Sequence, residues 1–300
     1  MRCGAAAALT LAIGASAATV VDDRGRPVTL DHPPERIVTL APHLAEVAFA
    51  AGAGDRVVGV SVFSDFPPEV ARLPQIEASG RVDLERVVRL APDLALAWRG
   101  GNRVQDLERL ERLGIPVFAT EARRLEDVAR VLREVGKLTG NAARGEAAAE
   151  GFERSVNKLR ERYRGRSPVR VFYEVWHEPL MTVSGDHLIS KAIELCGGEN
   201  IFAGLSILAP QVSLESVLVA NPQAIIVGGK SEERQKWLQY WLKWDTIAAV
   251  KEGSVFVIDP DIIQRHSPRI TQGIEQLCGY LDQVRAGLNG AGKAKEGQQE

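Results

Sequence analysis

The chain has little cysteine, no dominant charge sign and, past its first twenty residues, no long apolar run. Three cysteines in 300 residues exclude a small scaffold held mainly by disulfides. Lys and Arg total 37 against 39 Asp and Glu, so there is no basic field to neutralise a nucleic-acid backbone, and no nucleic-acid partner is expected. No later stretch approaches the ~20 apolar residues of a spanning helix. Phosphate cradles are missing too. Gly100-Gly101 lacks the lysine and serine of a P-loop, and Gly228-Gly229-Lys230 lacks the spaced glycine before it. Thr182 stands where a nucleophile elbow around Ser184-Gly185 needs a glycine. The histidines, His32, His43, His177, His187 and His266, contain no pair at zinc-ligand spacing, so neither a metal site nor a catalytic cofactor is expected. With no nucleophile beside a base, a two-lobed enzyme is the weakest functional class.

At the amino terminus Met1-Arg2 precedes a small, apolar stretch to Ala18 that carries Leu9, Leu11 and Ile13 and contains the cleavage-like Ala15-Ser16-Ala17. A signal peptide over residues 1–17 and a soluble periplasmic protein are expected, against the alternative of a short buried helix. Export leaves Cys196 and Cys278 as an even pair in an oxidising compartment. A bridge is expected; two buried thiols are the alternative.

Strand and helix signals alternate through the chain. Ile37, Val38 and Thr39 form a β-branched run, and Leu44, Val47, Ala48 and Ala51 follow at helical spacing up to Gly52. Further strands are expected at Arg56 to Val60, Asp93 to Trp98, Ile115 to Ala119 and Val169 to Val175. An internal echo divides the chain: Leu84, Glu85, Val87 and Pro92 are matched in phase by Leu214, Glu215, Val217 and Pro222. Between the halves, residues 141–164 read as one helix roughly 35 Å long, with Phe152, Val156, Leu159 and Tyr163 as its apolar stripe. The expected fold is α/β: two similar lobes with largely parallel sheets flanked by helices, joined by one long linking helix, with a ligand cleft between them. The lobes are placed at residues 18–140 and 165–290, with a disordered tail over 291–300.

Ligands of such sheets bind beyond the carboxyl ends of the strands. There the sequence places Pro42-His43, the loop Phe63 to Pro68 with Phe63 and Phe66, Trp98 before Arg99-Gly100-Gly101-Asn102, Trp176-His177, and Asp261 to Arg265. Aromatics mixed with polar groups suit a broad, partly apolar ligand. Packing alternatives stand beside these: Phe66 beneath its loop, Trp98 over its lobe's core, Asp261 paired with Arg265. Trp237, Trp241 and Trp244, at i, i+4 and i+7, are expected in a core.

Five segments carry a resemblance: Ser64 to Pro68 (SDFPP), Ala97 to Asn102 (AWRGGN), Cys196 to Phe202 (CGGENIF), Pro210 to Ser213 (PQVS) and Ser267 to Ile270 (SPRI). The chain resembles, from about Arg36 to Val284, the periplasmic vitamin B12-binding proteins of the BtuF type, in the wider group of receptors for corrinoids, haem and iron siderophores. The resemblance implies a monomeric solute-binding protein that delivers a cobalamin-like corrinoid to an inner-membrane ABC permease with its cytoplasmic ATPase. Haem or a ferric siderophore on the same scaffold is the alternative. It further implies that Phe63, Trp98, Asp261 and Arg265 contact the ligand, with Trp176 one residue from the place of a family phenylalanine, and that Glu85 and Glu215 dock the permease; the strand-end reading adds Phe66 and His43, the latter as a hydrogen-bonding contact and not a metal ligand. Ser79 and Ala209 depart from the family by replacing tryptophans.

Overall fold

The computed structural model describes residues 17–78, 81–229 and 231–296. The expected signal peptide, but for its last residue, and Ser79 lie outside them. In the amino-terminal lobe four parallel strands stand in the order Val57–Val60, Ile37–Thr39, Leu94–Trp98, Val117–Thr120. In the second lobe the order is Gly198–Asn200, Val169–Glu174, Ala224–Val227, Val255–Val257, again parallel throughout. Numbered by their place along each lobe, both sheets read 2-1-3-4. Strands buried on two faces need apolar residues throughout rather than alternation, and Ile37, Val38, Leu94, Ala95 and Leu96 have no exposed surface. An antiparallel hairpin, Ala18–Val21 with Pro27–Leu30, flanks the first lobe.

The internal echo is structural. Helix Leu84–Leu90 is capped by the Asp83 side chain, which accepts from Arg86 N, and helix Leu214–Ala220 by Ser213, which accepts from Ser216 N. Each ends in a left-handed residue, Ala91 (φ 42°) and Asn221 (φ 44°), that turns the chain into Pro92 or Pro222 and the third strand of its lobe.

The linking helix spans Ala142–Tyr163 and buries Phe152, Val156, Leu159 and Tyr163 as expected. Asn141 does not cap it through its side chain; Asn141 Nδ2 donates instead to Gly52 O (3.0 Å), tying the helix start to the first lobe. The preceding helix, Leu125–Leu138, lies against it at backbone contact. A Cβ on Gly136 would sit 2.8 Å from Gly145 Cα, and one on Gly145 2.7 Å from Leu132 O, so glycine alone allows this approach. One apolar core continues from Leu44, Val128 and Leu132 through the linking helix to Val169, Ile193 and Leu281.

Cys196, just past helix Leu188–Leu195, is bridged to Cys278 in the terminal helix. That helix runs Ile270–Glu296, where the sequence suggested disorder from residue 291. Ala291, Lys293, Ala294, Lys295 and Glu296 are strong helix formers, and their intrinsic preference continues the helix over these residues.

Candidate ligand-binding cleft

In a 2-1-3-4 parallel sheet the crevice opens where strand order reverses, beyond the carboxyl ends of strands 1 and 3. In the first lobe those ends are joined by Asn102, whose Oδ1 accepts from Trp98 N (2.7 Å) and whose Nδ2 donates to Leu40 O (2.7 Å). Gly101 lies against the Trp98 ring where a Cβ would overlap it. The AWRGGN segment thus folds the indole over its own turn, and Trp98 Nε1 donates to the buried Glu121 (3.2 Å). A hollow of about 220 Å³ lies here, lined by Leu40, Pro42, Phe63, Trp98 and Asn102.

Phe63 is 65% exposed and Phe66 39%, on the loop after the second strand. Phe63 has φ 62°, a left-handed backbone that a large side chain adopts only when its surroundings hold it there. The hold comes from the other lobe, because Arg265 NH2 donates to Phe63 O (2.9 Å). In the second lobe, strand Val169–Glu174 leads to Trp176, 47% exposed, whose Nε1 donates to Glu178 O (2.9 Å). Beneath it Glu174 is fully buried and meets His177 Nδ1 (2.6 Å) and Trp241 Nε1 (2.7 Å). Burial pushes the Glu174 carboxyl up, partly countered by those two hydrogen bonds. Trp237 and Trp241 are buried in the second lobe's own core, as their spacing predicted.

Arg265 is not an open cationic group on the rim. It is 7% exposed and spans the lobes, bonding Glu46 Oε1 (2.9 Å), Asp65 Oδ1 (2.6 Å) and Asp261 Oδ1 (2.8 Å). Burial acts to lower its pKa, but the bonds to Asp65 and Glu46 and the charge of Asp261 outweigh it, so the guanidinium is held above its ordinary value. Glu46 also accepts from two nitrogens of Arg269, NH2 and Nε (2.7 and 2.9 Å), and from the Ser267 hydroxyl. The Arg269 guanidinium in turn covers the Phe66 ring at 4.0 Å. The Asp261 to Arg265 pairing weighed from the sequence is therefore present, within a larger network.

His43 is 6% exposed, with its ring 5.5 Å from those of Trp98 and His266. Burial, reinforced by Arg265, lowers its pKa to about 3. It is a neutral group in the junction of the lobes. Glu85 and Glu215 are both exposed in the first turns of their helices.

Sequence reasoning brought Phe63, Trp98, Trp176, Asp261 and Arg265 to the strand ends but missed Glu46, His187, His266 and Arg269. Glu46 had a signal: it stands among Leu44, Ala45, Val47 and Ala48, and a carboxylate in an apolar stripe needs a partner.

Two like lobes, a rigid connecting helix and an aromatic-rimmed cleft at the strand ends define the class of two-lobed solute receptors. The chain belongs to the periplasmic binding protein family, whose model matches residues 37–262. It is 36% identical over 250 residues to the vitamin B12-binding protein of Vibrio cholerae serotype O1, covering 83% of this chain and 90% of that protein. The crystal structure of the periplasmic vitamin B12 binding protein BtuF of Vibrio cholerae superposes with a TM-score of 0.78 at 34% identity, over 84% of this chain and 98% of that one. The periplasmic heme-binding protein RhuT from Roseiflexus superposes with a TM-score of 0.76 at 24% identity, over 83% and 98%. This last likeness speaks for the fold alone.

Proposed function

We propose that this protein captures a cobalamin-like corrinoid in the periplasm and delivers it to an inner-membrane ABC permease with its ATPase. The observation that carries the reading is the pair of exposed aromatics at the strand ends, Phe63 from one lobe and Trp176 from the other. Aromatic faces cover a flat macrocycle, and a polar edge such as the exposed Asp65 suits its amide rim. Its similarity to vitamin B12-binding proteins supports corrinoid over haem or siderophore. The mature protein, incubated separately with cyanocobalamin, haem and a ferric siderophore and then desalted, is expected to retain the cobalamin spectrum at one equivalent. Retention of haem alone rejects the corrinoid.

Docking to the permease is assigned to Glu85 and Glu215, which occupy the same phase of the two lobes' repeat. Charge-assisted contacts to two permease arginines fix orientation and register. Each carboxylate also lies in the first helical turn, where unpaired N–H groups favour it. The double variant Glu85→Ala, Glu215→Ala is expected to keep ligand titration within about twofold and to weaken binding to the reconstituted transporter about tenfold. Loss of ligand binding, or undiminished docking, removes the assignment.

A further inference from the structure

Next to the aromatic hollow lies a second, larger one of about 670 Å³, and its chemistry is different. Both lobes wall it: Arg99, Glu121, Arg123 and Arg124 come from the first, Asp186 and Lys191 from the second. The two hollows meet through Trp98, which lines the smaller and donates its indole N–H to Glu121 of the larger (3.2 Å). Arg99 directly follows strand Leu94–Trp98 and Glu121 directly follows strand Val117–Thr120, so the compartment opens at the same carboxyl ends of strands as the cleft. Its volume falls within the roughly 300–1,000 Å³ of sites for small organic ligands.

The acids of this lining are mostly spent. Asp23 accepts from Arg130 (3.0 Å), and Asp127 Oδ2 accepts from the backbone N–H groups of Arg123 (3.0 Å) and Arg124 (2.8 Å) at the start of helix Leu125–Leu138. Glu121 holds the Trp98 indole. Two of the cations are spent as well, Arg130 also on Glu134 (2.8 Å) and Lys191 on Glu194 (2.9 Å). Among the described residues the guanidinium groups of Arg99 and Arg123 have neither a hydrogen bond nor an ion pair, and both residues are exposed. Asp186, also exposed, is the one carboxylate of the lining in the same condition. An anion entering here meets two sets of N–H donors that give up no protein partner to receive it.

We propose that this compartment is an anion subsite of the ligand cleft, in which Arg99 and Arg123 hold a phosphodiester arm hanging from the edge of the ligand between Phe63 and Trp176. The proposal rests on the corrinoid reading given above and deepens it. A cobalamin carries one such arm, a singly charged phosphodiester that joins the macrocycle to a ribose and a base. The fork of a guanidinium matches two oxygens of a phosphate, which a lysine ammonium does not. Asp186 repels the phosphate but can accept from a ribose hydroxyl. As the arm fills the hollow it displaces water, and the charge pairs strengthen in the lower dielectric.

Dicyanocobinamide, a corrinoid without the nucleotide arm, is titrated calorimetrically into the mature protein beside cyanocobalamin. The parent is expected to bind cyanocobalamin about tenfold or more tighter than the cobinamide. In Arg99→Gln with Arg123→Gln that preference should fall to about twofold or less, with cobinamide affinity within about twofold of the parent's. Both side chains are exposed and unpaired, so the double variant should keep the parent's urea midpoint. Arg112→Gln removes a positive charge from helix Val104–Arg112, outside the hollow, and should leave the preference intact, which separates contact from the overall field. Raising the salt tenfold should shrink the preference of the parent. Equal affinity of the parent for the two corrinoids, or a preference that survives in the double variant, overturns the subsite alone. An equal loss of affinity for both corrinoids in the double variant overturns it too, because that is the mark of a latch between the lobes, closed by these arginines on Asp186. Binding of neither corrinoid to the parent removes the cleft reading, and the subsite with it.

Discussion

Glu46→Ala is expected to cost about 3 kcal/mol or more of folding stability, seen as a lower urea midpoint at an unchanged slope. The carboxylate is 4% exposed and accepts from Arg265, Arg269 and Ser267, all from the other lobe. Removing it leaves the buried Arg265 with Asp65, Asp261 and the Phe63 carbonyl, and the uncompensated desolvation of a guanidinium exceeds the worth of any surface ion pair. A loss under about 1 kcal/mol would mean that the junction is as wet as a surface. Adding Arg265→Met should recover part of the loss, since replacing both partners of a buried pair by apolar groups is often neutral. The same double change frees the backbone of Phe63 from the Arg265 bond that ties it across the lobes, so ligand affinity should fall even where stability returns.

Phe63→Ala combined with Trp176→Ala should weaken cyanocobalamin binding about 100-fold or more while leaving the urea midpoint within roughly 0.5 kcal/mol of the parent. Each ring can cover roughly 150 Å² on binding, worth about 2 kcal/mol once ordering costs are subtracted from the area term. Phe63 is largely exposed and Trp176 about half exposed, so their truncation removes little from the fold. A calorimetric titration in which the double variant binds as tightly as the parent would place the macrocycle elsewhere. Each single variant should fall between.

Most of the scaffold was readable because its signals are local. Ile37 to Thr39 is a β-branched run, Phe152 to Tyr163 a helical stripe, and Leu84 to Pro92 returns as Leu214 to Pro222 with the same cap and the same left-handed exit. Strand ends follow from strands, so Trp98 and Trp176 were placed at the cleft without knowledge of the lobes' arrangement. The junction was not readable in this way. Glu46 and Arg269 lie more than 200 positions apart, and nothing along the chain states that they touch. Arg265 was expected at the ligand's rim, and its four acceptors, drawn from two lobes, could not be read along the chain. The histidines show the same limit. None has a partner at a regular interval, and only the approach of the two sheets brings His43 to His266. The helix end at Glu296 erred in the opposite direction, since a disordered tail was expected from residue 291 where intrinsic preference sustains a helix.

The apolar core that passes through the linking helix also bears on traffic at the membrane. Two lobes sharing Phe152, Val156, Leu159 and Tyr163 cannot swing on a free hinge, and the backbone contact of Gly136 with Gly145 stiffens the strut further. The span between Glu85 and Glu215 is then expected to be nearly the same in empty and loaded molecules. A transporter that reads only that span would give both the same berth, and empty receptors would compete with full ones for it. Uptake would track the fraction of receptors that carry cargo rather than the amount of cargo alone, and overproducing the receptor in a medium poor in ligand would slow import.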